Sequence, residues 1–391
     1  MYNKRRLFLL IVSIILFCSA CTTEKEIKKT ENQESPESAI EKDEKTTVNV
    51  SPLKEININD HFTSVENKVR KEKYTISGGK CSAKNNLIAP AYVDDERIIF
   101  LLDEEKSDKI LEFSRSKGSC KEIYSSVGIS YIIGNESNIF WLEYDTTKVT
   151  GVDWTIKNLN LKNYKINEIS TGGSYKDTPV PTIKLGKGSI NWIEYESKGD
   201  SLISKLMKWQ KSSGKVSVLE EVVLDESDKR DGEYYIIQHG VQSNILLYKS
   251  IFKKGEKTLS INLYEKGHFT PPFIKQDQII DFNMNENYFV YTNEGSLTAI
   301  DLNKSNTQFK YKTGDKLTTD TPIFINDQTL VFRYAMNDII LLNFEKNVRF
   351  SISGKHALIS KPIFTNNYLS YAVKNNIEDN KTNFYVVKLV D

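Results

Sequence analysis

A short apolar run closed by an anchor residue recurs along this chain: Arg97-Ile98-Ile99-Phe100, Asn138-Ile139-Phe140-Trp141, Ser189-Ile190-Asn191-Trp192, Asn244-Ile245-Leu246-Leu247, Tyr288-Phe289-Val290-Tyr291, Thr329-Leu330-Val331-Phe332 and Tyr368-Leu369-Ser370-Tyr371. The anchor is aromatic except in the fourth copy, and the steps from Phe100 to Tyr371 are 41, 51, 55, 44, 41 and 39 residues. Between the anchors apolar residues cluster or alternate and rarely fall at the three-and-four spacing of a helix, so the pattern predicts strands. In the sixth unit strands are expected over 321–325, 330–334, 339–344 and 348–352, with Asn326-Asp327-Gln328 as a turn. The fifth gives 279–282, 288–292, 297–302 and 308–311, with Asn293-Glu294-Gly295 turning a hairpin.

Periods near 40 to 50 residues with several short strands each suit sheets arranged radially about an axis. The expected fold class is therefore all-β, a β-propeller of seven, alternatively six, four-stranded blades. The last unit supplies only three strands, 362–364, 368–373 and 384–390. An unpaired outer edge there would invite aggregation. Residues 73–77, ahead of the first full unit, can provide the fourth strand and close the ring.

Asp320-Thr321-Pro322-Ile323-Phe324, followed by Asn326-Asp327 and Leu330-Val331-Phe332, resembles a degenerate copy of the TolB-type propeller repeat. Asp177-Thr178-Pro179, Pro90 and Pro362 stand at similar places ahead of their own apolar strands, while the Ser-Pro-Asp-Gly turn of that family is missing from every unit. The resemblance implies the same architecture over residues 74–391. Gly295 to Leu302 is similar to a quinoprotein propeller repeat, but in one copy only, so no quinone and no other cofactor is expected.

The opening residues change the picture. Lys4, Arg5 and Arg6 precede an apolar run from Leu7 to Phe17, and Ser19-Ala20 place small side chains beside Cys21, the layout of an export signal. Eleven apolar residues span about 16 Å as a helix, against about 30 Å of hydrocarbon, so a permanent span is disfavoured. Cys18-Ser19-Ala20-Cys21 is similar to the Leu-Ala-Gly-Cys lipobox of bacterial lipoproteins, with Cys18 where leucine is commonest. That resemblance implies cleavage after residue 20 and a diacylglyceryl group on Cys21. The expected organisation is thus a lipoprotein signal over 1–20, a lipidated flexible tether over 21–70 and the propeller over 71–391. Residues 22–55 hold nine acidic and six basic side chains with little to bury, in keeping with a tether.

Beyond residue 20 the chain carries 50 basic against 52 acidic side chains, with no basic stripe, which excludes a nucleic-acid partner. Cys81 and Cys120 are the two cysteines of the domain, a possible disulfide that an exported location permits. The predicted strands, however, tend to place them at opposite ends of neighbouring blades, beyond the roughly 7 Å that a bridge tolerates between α-carbons. Neither has metal-ligand spacing with another cysteine or histidine, so no metal site is expected.

No nucleophile elbow, phosphate-cradling loop, calcium loop or zinc helix appears, and no catalytic residue is assigned. His61, His239, His268 and His356 read as loop or hydrogen-bonded residues, His239 beside Gly240 being the first choice for mutation. Asp177 and Asp320, next to their prolines at the start of their units, are the other candidate binding residues, against a plain turn-capping role. Trp141 and Trp192 sit inside apolar strands and are expected in the core, whereas Trp154, Trp209, Tyr234 and Tyr235 lie in more polar stretches and are candidate ligand anchors. The expected function is a non-enzymatic binding or scaffold module, anchored by its lipid to the outer face of the cell membrane and presenting loops to a protein, peptide or glycan. The competing class is an envelope hydrolase or lyase using acidic residues in the central channel. Convergent charges around a buried carboxylate there would favour the second, a flat apolar face the first.

Overall fold

The computed structural model describes residues 54–388 apart from the short segments 66–68, 78–80, 82–87, 105–106, 146–147, 149–150, 175–177, 228–229, 276–277, 305–306, 313–317, 355–357 and 377–380. The expected lipid-bearing Cys21, the candidate Asp177 and His356 lie outside the described residues.

Strands dominate, and they fall into four-stranded antiparallel units ordered from inside out. Blade 1 is Pro90–Val93, Arg97–Asp103, Asp108–Ser114 and Ser119–Ser126; blade 2 is Ile129–Asn135, Asn138–Tyr144, Val152–Asn160 and Lys165–Ser174. Blade 3 is Lys184–Gly186, Ser189–Lys198, Ser201–Gln210 and Lys215–Asp225; blade 4 is Asp231–Val241, Asn244–Lys253, Glu256–Glu265 and His268–Phe269. These two join through only the pairs Leu224 with Gly232 and Asp225 with Asp231, which makes them one continuous sheet. Blade 5 is Asp281–Met284, Tyr288–Asn293, Ser296–Asp301 and Thr307–Lys312; blade 6 is Thr319–Asn326, Thr329–Tyr334, Asp338–Asn343 and Val348–Ser351. Blade 7 takes Ile363–Thr365, Tyr368–Lys374 and Lys381–Lys388 from the end of the chain and Glu72–Ser77 from its beginning. The inner strands touch one another in cyclic order, and that of blade 7 meets that of blade 1. The molecule is an all-β propeller.

The recurring apolar runs are the second strands of the blades. A sheet standing radially is covered on both faces, so consecutive residues are all buried and point alternately to the two neighbours. Leu330 and Phe332 face blade 5 while Val331 faces blade 7. Each pair of adjacent blades thereby encloses its own apolar cluster, from the one between blades 7 and 1 around to the one between blades 6 and 7. Leu247, the copy without an aromatic ring, is fully buried like the rest. Trp141 and Trp192 are core residues, each donating its indole N–H to a glutamate two residues on, Glu143 at 3.0 Å and Glu194 at 2.7 Å.

One expectation needs correction, one pairing left open is settled, and two candidates fall away. The tether was expected to run to residue 70, yet Lys54–Asn57 adds as a parallel fifth strand to blade 5 and Thr63–Ser64 does the same on blade 6. The short helix Ile58–His61 between them drops Ile58 and Phe62 into the cluster shared by those blades, and this burial is what orders the segment. Cys81 and Cys120 are bridged, with α-carbons 5.9 Å apart. Cys81 lies beside the outer strand of blade 1, where it and Cys120 pack on the cluster between blades 7 and 1. Closing a loop across 39 positions removes about 4 kcal/mol of unfolded-state entropy. Trp154 and Tyr235, candidate ligand anchors, are buried: Trp154 lies over Gly172, whose hydrogen leaves the room its ring occupies, and Tyr235 fills the interface between blades 3 and 4. Among the described residues no helix is long and apolar enough to cross a membrane.

Candidate functional site

Inner strands form the wall of the central channel, and those of blades 3, 4, 5 and 7 bring ionisable groups to one level of it. Lys184, His239 and Asp281 lie two or three residues before the ends of their inner strands, and Lys361 lies just ahead of Ile363–Thr365. The approach of blades 3 and 4 depends on Gly240: a Cβ there would stand 1.8 Å from the carbonyl oxygen of Leu185. Gln238 donates its amide to the carbonyls of Thr182 at 2.6 Å and Asn191 at 3.2 Å, and Lys187 N–H reaches the Gln242 carbonyl at 2.7 Å. His239 and Lys184 are the residues enclosed between these ties.

Across the gap to blade 5, Nε2 of His239 lies 3.1 Å from Oδ1 of Asp281 and its ring meets Phe282 edge-on at 4.7 Å. The approach lacks the alignment of a full hydrogen bond, so Nε2 is buried and incompletely satisfied. Asp281 is better held. Its Oδ1 accepts from Phe282 N–H at 2.9 Å and its Oδ2 from Thr321 N–H at 3.0 Å, the latter belonging to blade 6. Thr321 has φ +53°, a left-handed conformation that a β-branched residue rarely adopts, and it precedes a proline. The strain aims its amide at the carboxylate, and strained residues gather where geometry serves a purpose.

Both side chains keep under a fifth of their surface accessible, 17% for His239 and 18% for Asp281. Burial alone would push the Asp281 carboxyl up; the His239 contact and the charges of His239, Lys184 and Lys361 outweigh it and hold the group at about 2. Burial lowers the His239 pKa, Lys184 adds to that, and Asp281 opposes it. The Lys184 amine is likewise lowered by burial, against the pull of Asp281. Two amines and an imidazole thus surround a single carboxylate, and among the described residues neither amine has a hydrogen-bonded or ion-paired partner.

Of the residues singled out from the sequence, His239 belongs to this cluster. Asp320 stands beside it but is occupied: its carboxylate takes both Nε, at 2.8 Å, and Nη2 of Arg333, whose Nη1 donates to the Ile359 carbonyl at 3.0 Å and so ties blade 6 to blade 7. His61 stacks near Phe62 and Phe309, and His268 lies exposed on the short outer strand of blade 4, both away from the channel. Lys184, Asp281, Thr321 and Lys361 were missed. The one sequence signal among them is Ile279-Ile280-Asp281-Phe282, a lone carboxylate set in an apolar run.

Neither any family model nor any curated protein sequence matches this chain. Among solved structures it is similar to an oligogalacturonate lyase in complex with manganese, at 9% identity and a TM-score of 0.51, covering 83% of this chain and 98% of that one. It is also similar to the β-propeller domain of the Trilobed protease from Pyrococcus furiosus, at 9% identity and a TM-score of 0.50, covering 74% of this chain and 92% of that one. At such identity the likeness defines the fold: this is a β-propeller protein.

Proposed function

We propose that the protein is a lipid-anchored, extracytoplasmic binding propeller that takes its ligand at the channel cluster of Lys184, His239, Asp281 and Lys361. The observation that carries this reading is the pair of amines with no hydrogen-bonded or ion-paired partner among the described residues, brought from blades 3 and 7 to a fixed carboxylate–imidazole pair. Such a preorganised arrangement costs folding free energy, and a bound ligand is what offsets it. The signal-like residues 1–20 and Cys21 support placement on the outer face of a membrane. Purification of the lipidated protein from its own envelope in mild detergent, followed by native mass spectrometry, tests the reading. A bound species is expected on the wild type and absent from the Lys184→Met, Lys361→Met double variant; equal retention by both would refute the site.

The convergence of charge around a buried carboxylate also favours the hydrolase or lyase alternative. His239 backed by Asp281 has the layout of an oriented general base. Among the described residues, however, no hydroxyl or thiol is hydrogen-bonded to His239, so the base has no protein nucleophile to activate, and turnover would need water or an acidic C–H of the substrate placed against it. Recognition is the reading carried forward.

A further inference from the structure

From the arrangement of donors and acceptors in the channel, and resting on the reading that this cluster is the ligand site, we infer the ligand's chemical class. The ligand is a monocarboxylate with hydroxyl groups next to the acid, of the sugar-acid type: its carboxylate lies against the amines of Lys184 and Lys361, and a hydroxyl donates to Nδ1 of His239.

Each part follows from a group already placed. Lys184 sits between the ties that Gln238 and Gly240 make to blade 3, so its strand is fixed against blade 4. Lys361 comes from blade 7, close enough for its charge to act on Asp281 and His239, and is exposed, so it can move onto an arriving ligand. Ammonium groups donate and never accept, which calls for an anionic acceptor. Asp281 is already engaged by two backbone amides and by His239, so it repels a second negative charge and limits how much charge the ligand brings. A dianion would leave one of its charges facing that carboxylate. An imidazole whose Nε2 faces a carboxylate carries its proton there, and its Nδ1 is then an acceptor. A carboxylate cannot satisfy an acceptor, but a hydroxyl beside it can. Lys184, Lys361, Asp281 and His239 are the charged groups facing one another here, and Asp320 is neutralised by Arg333.

Isothermal titration of the detergent-solubilised full-length protein with D-gluconate, D-sorbitol and inorganic phosphate tests the inference, because gluconate and sorbitol differ only in the acid. The expected result is binding of gluconate at least about tenfold tighter than that of sorbitol or phosphate. Both Lys361→Met, an exposed position whose change leaves the fold intact, and Lys184→Met should weaken it by at least about tenfold. Sorbitol binding as tightly as gluconate, phosphate binding more tightly, or gluconate binding untouched by both lysine variants would each overturn the inference. Failure of gluconate to bind, while the native bound species is lost from the double lysine variant, would reject the ligand class and leave the channel site standing. Retention of that species would reject the site itself.

Discussion

A chain beginning at residue 79 is expected to lose cooperative folding, whereas one beginning at residue 71 keeps it. Glu72–Ser77 pairs with Lys381–Lys388 over six positions and completes blade 7. Its removal exposes that ladder, empties the place of Ile76 between blades 7 and 1, and strips Arg115 of the Tyr74 hydroxyl at 3.0 Å and the Glu72 carboxylate at 2.8 Å. Loss of a buried isoleucine costs about 2 to 5 kcal/mol and each backbone bond about 1 kcal/mol, so the sum approaches the 5 to 15 kcal/mol that holds a typical domain together. The freed edge of Lys381–Lys388 is also a template for intermolecular pairing. Thermal unfolding followed by circular dichroism, with light scattering for aggregation, reads both effects. The chain from residue 71 also lacks the strands that 54–64 add to blades 5 and 6, and its transition should fall between the two. An unchanged midpoint in the chain from residue 79 would mean that the ring closes without its first strand.

Replacement of Asp281 by asparagine is expected to cost about 3 kcal/mol at neutral pH, the scale for breaking a buried ion pair. The variant removes the carboxylate whose charge acts on both Lys184 and His239. The deficit should depend on pH with a definite sign. Asp281 titrates at about 2 in the folded protein, below its usual value of 3.8, so its contribution is fully present above pH about 4 and is lost as pH falls towards 2. That shift is worth about 2 kcal/mol, and the wild type and the variant should converge over this window. His239, lowered from 6.5, works in the same direction at milder acidity: the unfolded chain takes up the proton first, so wild-type stability begins to fall below pH about 6.5. Urea midpoints measured from neutral to acid pH test this. A gap between wild type and variant that stays constant down to about pH 2 would show that Asp281 is not held ionised by its neighbours.

The fold was legible because of how blades bury their residues. Sheets covered on both faces write contiguous apolar runs such as Tyr288-Phe289-Val290-Tyr291, and the predicted strands of the fifth and sixth units agree with the observed ones to within about two residues, the usual uncertainty of element ends. The early closing strand was legible for a related reason, since a three-stranded last unit needs a partner. Ile56, Ile58 and Phe62 were not, because three isolated apolar residues in a charged segment carry no period. The disulfide stayed open because its geometry depends on where Cys81 falls beside the outer strand of blade 1 rather than on the predicted strands alone. The channel cluster was hidden for a deeper reason: Lys184 and Lys361 each look like a solvated lysine, and only the closure of the ring makes them neighbours. His239 alone drew attention, through the glycine that follows it.

A double-mutant cycle between Lys184 and Asp281 tests the central claim most directly, because those residues belong to blades 3 and 5 and can interact only if the inner strands converge on one cluster. Urea unfolding of wild type, Lys184→Met, Asp281→Asn and the double variant at neutral pH should give a coupling of about 1 kcal/mol or more, with the second substitution relieving part of the cost of the first. Additivity to within about 0.3 kcal/mol would mean that the two charges do not meet, and the channel site would fall with it.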